Sequence, residues 1–105
     1  MKPYLSVIIP AYNEAKRLPL TLIDIDKHLS KADFSYEIIV VNDGSKDGTA
    51  EIVNRFSHLV KNLSLIDNKI NHGKGWVVKQ GMLESKGNIR LFMDSDNATK
   101  KGWKN

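Results

Sequence analysis

Two carboxylates separated by a single residue, Asp94 and Asp96, follow directly after an apolar run at residues 89–93. In an extended segment, residues i and i+2 point to the same side, so both carboxylates can face one ligand. Two like charges this close favour a divalent cation that offsets their repulsion, and oxygen ligands suit Mg²⁺ or Mn²⁺. A D-x-D pair is equally typical of a turn or a helix cap, and the two residues alone leave both interpretations open.

Four apolar runs short enough to be strands must position these carboxylates. They cover residues 5–9, 38–41, 63–66 and 89–93. Runs that are apolar at nearly every position are typical of parallel strands with both faces covered, and their spacing fits βαβ units. We therefore predict an α/β fold of the Rossmann-like, three-layer kind, with a four-stranded, mainly parallel sheet and three helices.

The three predicted helices are marked by side chains that recur every three or four positions. The stripes are Leu18, Leu22, Ile25 and Leu29 in the first helix, Ile52, Phe56 and Leu59 in the second, and Val78, Met82 and Ser85 in the third. We expect Thr49 or Asp47 to cap the second helix and the third helix to begin near Gly73, with Gly81 allowing close packing.

Polar side chains and glycines follow all four apolar runs. These segments are residues 10–14, 42–49, 67–75 and 94–96. Parallel sheets bind ligands outside the carboxyl ends of their strands, so we expect a binding site at this edge. Lys74, at a helix start, is suited to a phosphate, although a solvated lysine fits the spacing equally well. His72 is a weaker candidate, and we expect Trp76 to pack, with stacking on a ligand as the alternative.

Composition bounds the function of this chain of 105 residues. A single small domain is expected, and the absence of cysteine excludes disulfides, thiolate catalysis and cysteine-based zinc sites. The net charge of +4 is mild, and no dense basic block argues for nucleic acid. The apolar runs are too short to span a membrane, so we expect a cytoplasmic protein or one peripheral to the cytoplasmic membrane face. The last strand would leave an uncovered sheet edge, through which homo-oligomers could form.

Four segments in order resemble the inverting family-2 glycosyltransferases with a GT-A fold. They are residues 6–14, 41–49, 71–75 and 93–96. Residues 17–19, Gly73-Lys74-Gly75 and residues 91–99 are most similar to dolichyl-phosphate β-glucosyltransferases, and polyprenyl-phosphate mannosyltransferases come next. The resemblance covers nearly the whole chain, and Asn42 departs from it, because the family usually has an aspartate there.

The resemblance implies roles for individual residues. Pro10, Ala11, Tyr12 and Glu14 would surround the nucleoside, and Asp43 would accept a hydrogen bond from the base. Lys74, Gly75 and Ser95 would lie near the donor. Asp94 and Asp96 would carry the catalytic step, Asp94 near the sugar and both at the Mg²⁺ or Mn²⁺ ion that bridges the diphosphate.

The implied reaction transfers a hexose, preferably glucose, from a nucleotide-diphosphate sugar to a polyprenyl phosphate such as dolichyl phosphate. UDP-glucose is the favoured donor and GDP-mannose the second. Since such domains are about twice this length, we expect residues 1–105 to be the donor-binding part of one truncated domain, inactive alone. The alternatives are a non-catalytic nucleotide-binding or assembly module and a receiver-type domain with Asp67 as its phosphorylated residue.

Overall fold

Strands and helices alternate strictly in the computed structural model, which describes residues 2–95. The elements are β1 (Leu5–Ala11), α1 (Leu18–Leu29), β2 (Tyr36–Asp43), α2 (Thr49–Phe56), β3 (Leu63–Asn68), α3 (Lys74–Glu84) and β4 (Ile89–Phe92). The described part therefore contains four strands and three helices, which confirms the predicted α/β class. Asp96 lies outside the described residues.

The four strands form one sheet with the order β3-β2-β1-β4, and every neighbouring pair is parallel. β1 and β2 occupy the centre, with Val7 opposite Ile38 in their register. Because all strands run the same way, their carboxyl ends meet at one edge of the sheet.

Helices cover both faces of the sheet. Val7, Ile9 and Val40 on one face pack with α1 and with Val53 of α2, whereas Ile8 and Val41 on the other face pack with Val77 of α3. All residues of β1 are buried, and so are all but one of β2. The predicted three-layer arrangement is therefore confirmed, and the stripe Leu18, Leu22, Ile25 and Leu29 is buried as expected.

The end of α2 differs from the sequence prediction. The helix ends at Phe56, and the amides of Leu59 and Val60 both donate to the Phe56 carbonyl oxygen. This turn leaves Leu59 75% exposed and buries Val60 instead. At the other end, Gly48 is the N-cap residue, but the Asp47 carboxylate accepts the Thr49 amide at 3.0 Å.

The exposure of the edge strand β4 also differs from the prediction, because both of its faces were expected to be covered by other parts of the chain. Ile89, Leu91 and Phe92 are 45%, 38% and 48% exposed. The strand lies at the edge of the sheet, and α3 packs mainly over β1 and β2, so little of the described chain covers it. Oligomer formation through this edge stays a prediction.

α3 begins at Lys74, as expected, but a glycine decides how it packs. Val77 and Gly81 are its buried residues, while the predicted Val78 and Met82 are half-buried. A Cβ atom on Gly81 would lie 2.6 Å from Cγ2 of Ile8 and 3.1 Å from Cγ2 of Val41. Since both neighbours are stiff β-branched residues in the central strands, Gly81 sets how closely α3 approaches the sheet.

We expect Gly81→Ala to lower the free energy of unfolding by about 1–3 kcal/mol, because the added methyl group overpacks the contact with Ile8. Helix propensity alone predicts the opposite sign. Urea unfolding measures the difference. Gly75→Ala is the matched control, since a Cβ atom there meets nothing within 4 Å. A Gly81→Ala protein as stable as the parent would contradict the packing argument.

Candidate functional site

A cavity of about 470 Å³ opens at the carboxyl edge of the sheet, beside the start of α3. Its lining residues are Pro10, Ala11, Tyr12, Glu14, Asp43, Asn71, Gly73, Lys74, Val77, Asp94 and Ser95. All the described residues that the sequence analysis assigned to the donor site are among them, except Gly75. Three of the lining residues, Asn71, Gly73 and Val77, were not predicted. The first two lie in the 71–75 segment, but nothing in the spacing distinguishes Val77 from a core residue.

The loop after β1 is locked to the loop after β2 by reciprocal hydrogen bonds. The Asn13 amide donates to Ser45 Oγ at 2.9 Å, and the Lys46 amide donates to Asn13 Oδ1 at 2.8 Å. Asn13 adopts a φ of 54°, a left-handed conformation that asparagine tolerates better than most residues. Glu14 is fixed next, through its amide to Thr49 Oγ1 at 3.0 Å. These bonds hold the Tyr12–Glu14 wall of the cavity in place.

Asp47 completes the lock between the two loops. Its carboxylate accepts hydrogen bonds from the Ala15 amide at 3.2 Å and from the amide and hydroxyl of Thr49. Desolvation of the carboxylate raises the pKa of Asp47, but hydrogen bonds from the Thr49 hydroxyl and from the Ala15 and Thr49 amides together lower that pKa below its ordinary value. The carboxylate therefore stabilises the fold when it is ionised.

Asp43, at the end of β2, holds the loop that leads into α3. Its Oδ1 accepts the His72 amide at 2.6 Å, and its Oδ2 accepts the Gly73 amide at 3.0 Å and the Asn71 side-chain amide at 3.1 Å. Asp43 is only 3% exposed, so these bonds satisfy a buried charge. Asp43, to which the resemblance assigns a hydrogen bond with the nucleotide base, therefore also shapes the cavity.

Lys74 and Asp94 form an ion pair across the cavity, from the first turn of α3 to the segment after β4. The Lys74 Nζ atom also lies 5.8 Å from the centroid of the Phe92 ring. A cation at a helix N-terminus is unfavourable by itself, and the Asp94 carboxylate offsets this. The pair places the predicted phosphate-binding lysine and the predicted metal-binding aspartate in direct contact.

Asn42, which departs from the family pattern, donates from Nδ2 to Asp67 Oδ1 at 2.7 Å. The Lys69 Nζ atom contacts the other oxygen of Asp67 at 2.8 Å. The hydrogen bond from Lys69 makes the largest contribution to lowering the pKa of Asp67, and the bond from Asn42 lowers it further. An aspartate at position 42 would lose the donor and face a second carboxylate.

Asp67 lies within β3 and does not line the cavity, so the arrangement does not favour the receiver-type alternative.

Trp76 packs, as expected, but on His72 near the surface. It is 48% exposed, and its ring stacks on His72 with a centroid distance of 3.8 Å. Neither side chain lines the cavity.

The charges and oxygen atoms that line the cavity fit a divalent cation bound together with a diphosphate. Three carboxylates, from Glu14, Asp43 and Asp94, line it against one lysine, so a bare polyanion would be repelled. Within residues 2–95, no three His, Cys, Asp or Glu side chains are grouped closely enough to hold a metal ion. Asp94 would provide one carboxylate oxygen and the diphosphate further oxygens, a ligand set typical of Mg²⁺ sites.

The sequence profile of Glycosyl transferase family 2 matches residues 6–105. A dolichyl-phosphate beta-glucosyltransferase of Dictyostelium discoideum is 50% identical over an alignment of 103 positions, which covers 91% of this chain and 32% of that protein. The human enzyme of the same name is 39% identical over an alignment of 106 positions, which covers 91% of this chain and 32% of that protein. The chain thus spans about a third of the length of these relatives.

Solved structures share the fold. A Pyrobaculum calidifontis mannosyltransferase in complex with GDP-Man and Mn²⁺ superimposes with a TM-score of 0.76 at 29% identity, over 91% of this chain and 28% of that one. Staphylococcus aureus TarS 1-349 in complex with UDP-GlcNAc gives a TM-score of 0.69 at 31% identity, over 94% of this chain and 29% of that one.

In the described part of the chain, no helix is long and apolar enough to cross a membrane.

We expect Asp43→Asn to loosen the loop at residues 71–73, because an amide cannot accept all three hydrogen bonds. The free energy of unfolding should fall by about 1–3 kcal/mol, because a part-buried donor loses its partner. Hydrogen exchange at the His72 and Gly73 amides should become faster. Asp67→Asn, which does not contact this loop, is the control. Unchanged exchange at both amides would show that Asp43 does not hold the loop.

Asp47 makes stability depend on pH. Because its folded-state pKa is lowered, its contribution is present at neutral pH and is lost as the pH falls below the ordinary aspartate value of about 3.9. We expect Asp47→Asn to be less stable than the parent at pH 7 and to lose less stability on acidification to about pH 3. Urea unfolding at both pH values checks this, with the exposed Asp33→Asn as control. Parallel pH profiles for parent and Asp47→Asn would exclude the effect.

Proposed function

Because the chain belongs to Glycosyl transferase family 2, we propose that it forms the nucleotide-sugar-binding part of an inverting hexosyltransferase. The observation that carries this proposal is the cavity of about 470 Å³ at the carboxyl edge, where the wall after β1, Asp43 and the Lys74–Asp94 pair converge. Its volume of about 470 Å³ suits a ligand of nucleotide size.

The transferred sugar in this proposal is glucose, the donor UDP-glucose and the acceptor dolichyl or another polyprenyl phosphate. The names of the relatives from Dictyostelium and human support this choice. GDP-mannose is the second donor candidate, since a fold neighbour holds GDP-Man with Mn²⁺. We place the reaction in the cytoplasm or at the cytoplasmic membrane face, where a soluble donor meets a lipid acceptor.

Each side chain then has a chemical task. Tyr12, 42% exposed at the cavity wall, packs against the nucleoside. Oδ1 of Asp43 keeps a lone pair for a base N–H, because it accepts a single hydrogen bond from residues 2–95. Lys74 is positioned to neutralise the diphosphate. Asp94 and Asp96 would hold the cation, which supplies Lewis-acid stabilisation of the leaving diphosphate.

The acceptor needs little activation by protein groups. A polyprenyl phosphate is already an anionic nucleophile, so no dedicated general base is required among the cavity residues. Since the chain spans about a third of its relatives, we propose that it is the donor-binding part of a longer domain and that residues 1–105 alone bind donor weakly and turn over little.

Calorimetric titration with UDP-glucose and GDP-mannose, each with and without Mn²⁺, tests the proposal. We expect UDP-glucose to bind only with Mn²⁺, and Asp94→Asn and Asp96→Asn each to weaken this binding at least about tenfold, because each removes a charged ligand. Asp33→Asn is the control for a general change of charge. An affinity for UDP-glucose that does not depend on Mn²⁺ and is unchanged in both variants would refute the proposed site. Preferential binding of GDP-mannose would reassign the sugar.

A further inference from the structure

The segment that carries Asp94 leaves the sheet just before it reaches the cavity. The Met93 amide donates to the Ile8 carbonyl oxygen at 3.0 Å, and β4 itself ends at Phe92. The ladder of sheet hydrogen bonds therefore ends before Asp94. Because β4 is an edge strand with exposed side chains, its packing adds little support to the segment that follows.

Support reaches this segment from α1 instead. The Thr21 hydroxyl donates to the Ser95 carbonyl oxygen, a contact between residues 74 positions apart. Thr21 is 2% exposed and Ser95 is 3% exposed, so the hydrogen bond is shielded from water. Without it, a buried carbonyl group would need another donor.

The usual partner of a threonine within a helix is the carbonyl group one turn earlier. For Thr21 that partner is Arg17, whose carbonyl oxygen lies 3.4 Å away, at the long end of hydrogen-bond distances. The Ser95 carbonyl oxygen is its other acceptor. The hydroxyl is therefore oriented toward the segment after β4 rather than along its own helix.

α1 is a rigid base for this contact. Leu18, Leu22 and Ile25, which surround Thr21 on the helix, are fully buried against the sheet. The loop before α1 is tied to the loop after β2 through Glu14 and Thr49. A displacement of Thr21 would thus disturb the core, and its hydroxyl is a fixed point for the chain at Ser95.

We propose that Thr21 is a positioning residue, which fixes the backbone at Ser95 so that the Asp94 carboxylate faces the cavity opposite Lys74. The inference rests on the proposed function, because it takes a diphosphate with its divalent cation as the ligand. Asp94 precedes Ser95 directly, so a shift of the Ser95 carbonyl moves the Asp94 side chain. The nucleoside wall around Tyr12 does not depend on this contact.

Two substitutions separate the hydroxyl from the shape of the side chain. Thr21→Val keeps the volume and removes the donor, whereas Thr21→Ser keeps the donor. We expect Thr21→Val to weaken Mn²⁺-dependent UDP binding about tenfold, as for the loss of one buried hydrogen bond, and to leave metal-free uridine binding unchanged. Thr21→Ser should retain the parent's UDP affinity within about threefold.

The pattern of losses distinguishes positioning from general stability. If Thr21→Val weakens uridine and UDP equally, or if Thr21→Ser is as impaired as Thr21→Val, the positioning role is overturned. Parent-like UDP binding by Thr21→Val overturns it as well. Should Thr21→Val fail to fold, Thr21→Ala, which also lacks the donor, is measured in its place against Thr21→Ser.

A failure of the proposed function is recognised separately, in the parent protein, as no UDP binding with Mn²⁺. Hydrogen exchange at the Asp94 and Ser95 amides then decides the inference. The proposal requires faster exchange at both amides in Thr21→Val and parent-like exchange in Thr21→Ser. Unchanged exchange in Thr21→Val overturns it.

Discussion

The parallel pairing of β1 with β2 is the constraint on which the rest of the structure depends. Both strands are buried on both faces, so a helix must cover each side, and every connection must cross from one end of the sheet to the other. All the strands then deliver their following loops to the same edge. The cavity between the Tyr12–Glu14 wall, Asp43 and α3 is a consequence of that geometry.

Polar contacts between loops give this edge its shape. Asn13 binds the loop after β2, Asp43 binds the loop before α3, and Asn42 binds Asp67. Each contact joins segments that lie far apart in the sequence: two loops at Asn13, a strand end and a loop at Asp43, and two neighbouring strands at Asn42. The cavity walls are therefore set before any ligand arrives, which reduces the ordering that binding requires.

Apolar patterning was sufficient to predict the sheet, the three helices and the edge at which polar residues gather. It could not distinguish Leu59 from Val60, because a turn at the end of α2 decides which of the two enters the core. It also assigned β4 two covered faces, since a run of apolar residues does not reveal how far the helices extend over a strand at the edge of the sheet. Contacts such as Thr21 with Ser95 have no periodicity and follow only from the folded arrangement.

The ion pair between Lys74 and Asp94 has a thermodynamic consequence for how ligands enter. An anion alone would have to take Lys74 from its carboxylate partner, and a cation alone would have to displace the ammonium group from Asp94. When both arrive, each half of the pair gains a new partner of opposite charge, and neither is left uncompensated. In the proposed function, the two ligands would therefore bind with positive cooperativity, and by linkage each would raise the affinity of the cavity for the other by the same factor.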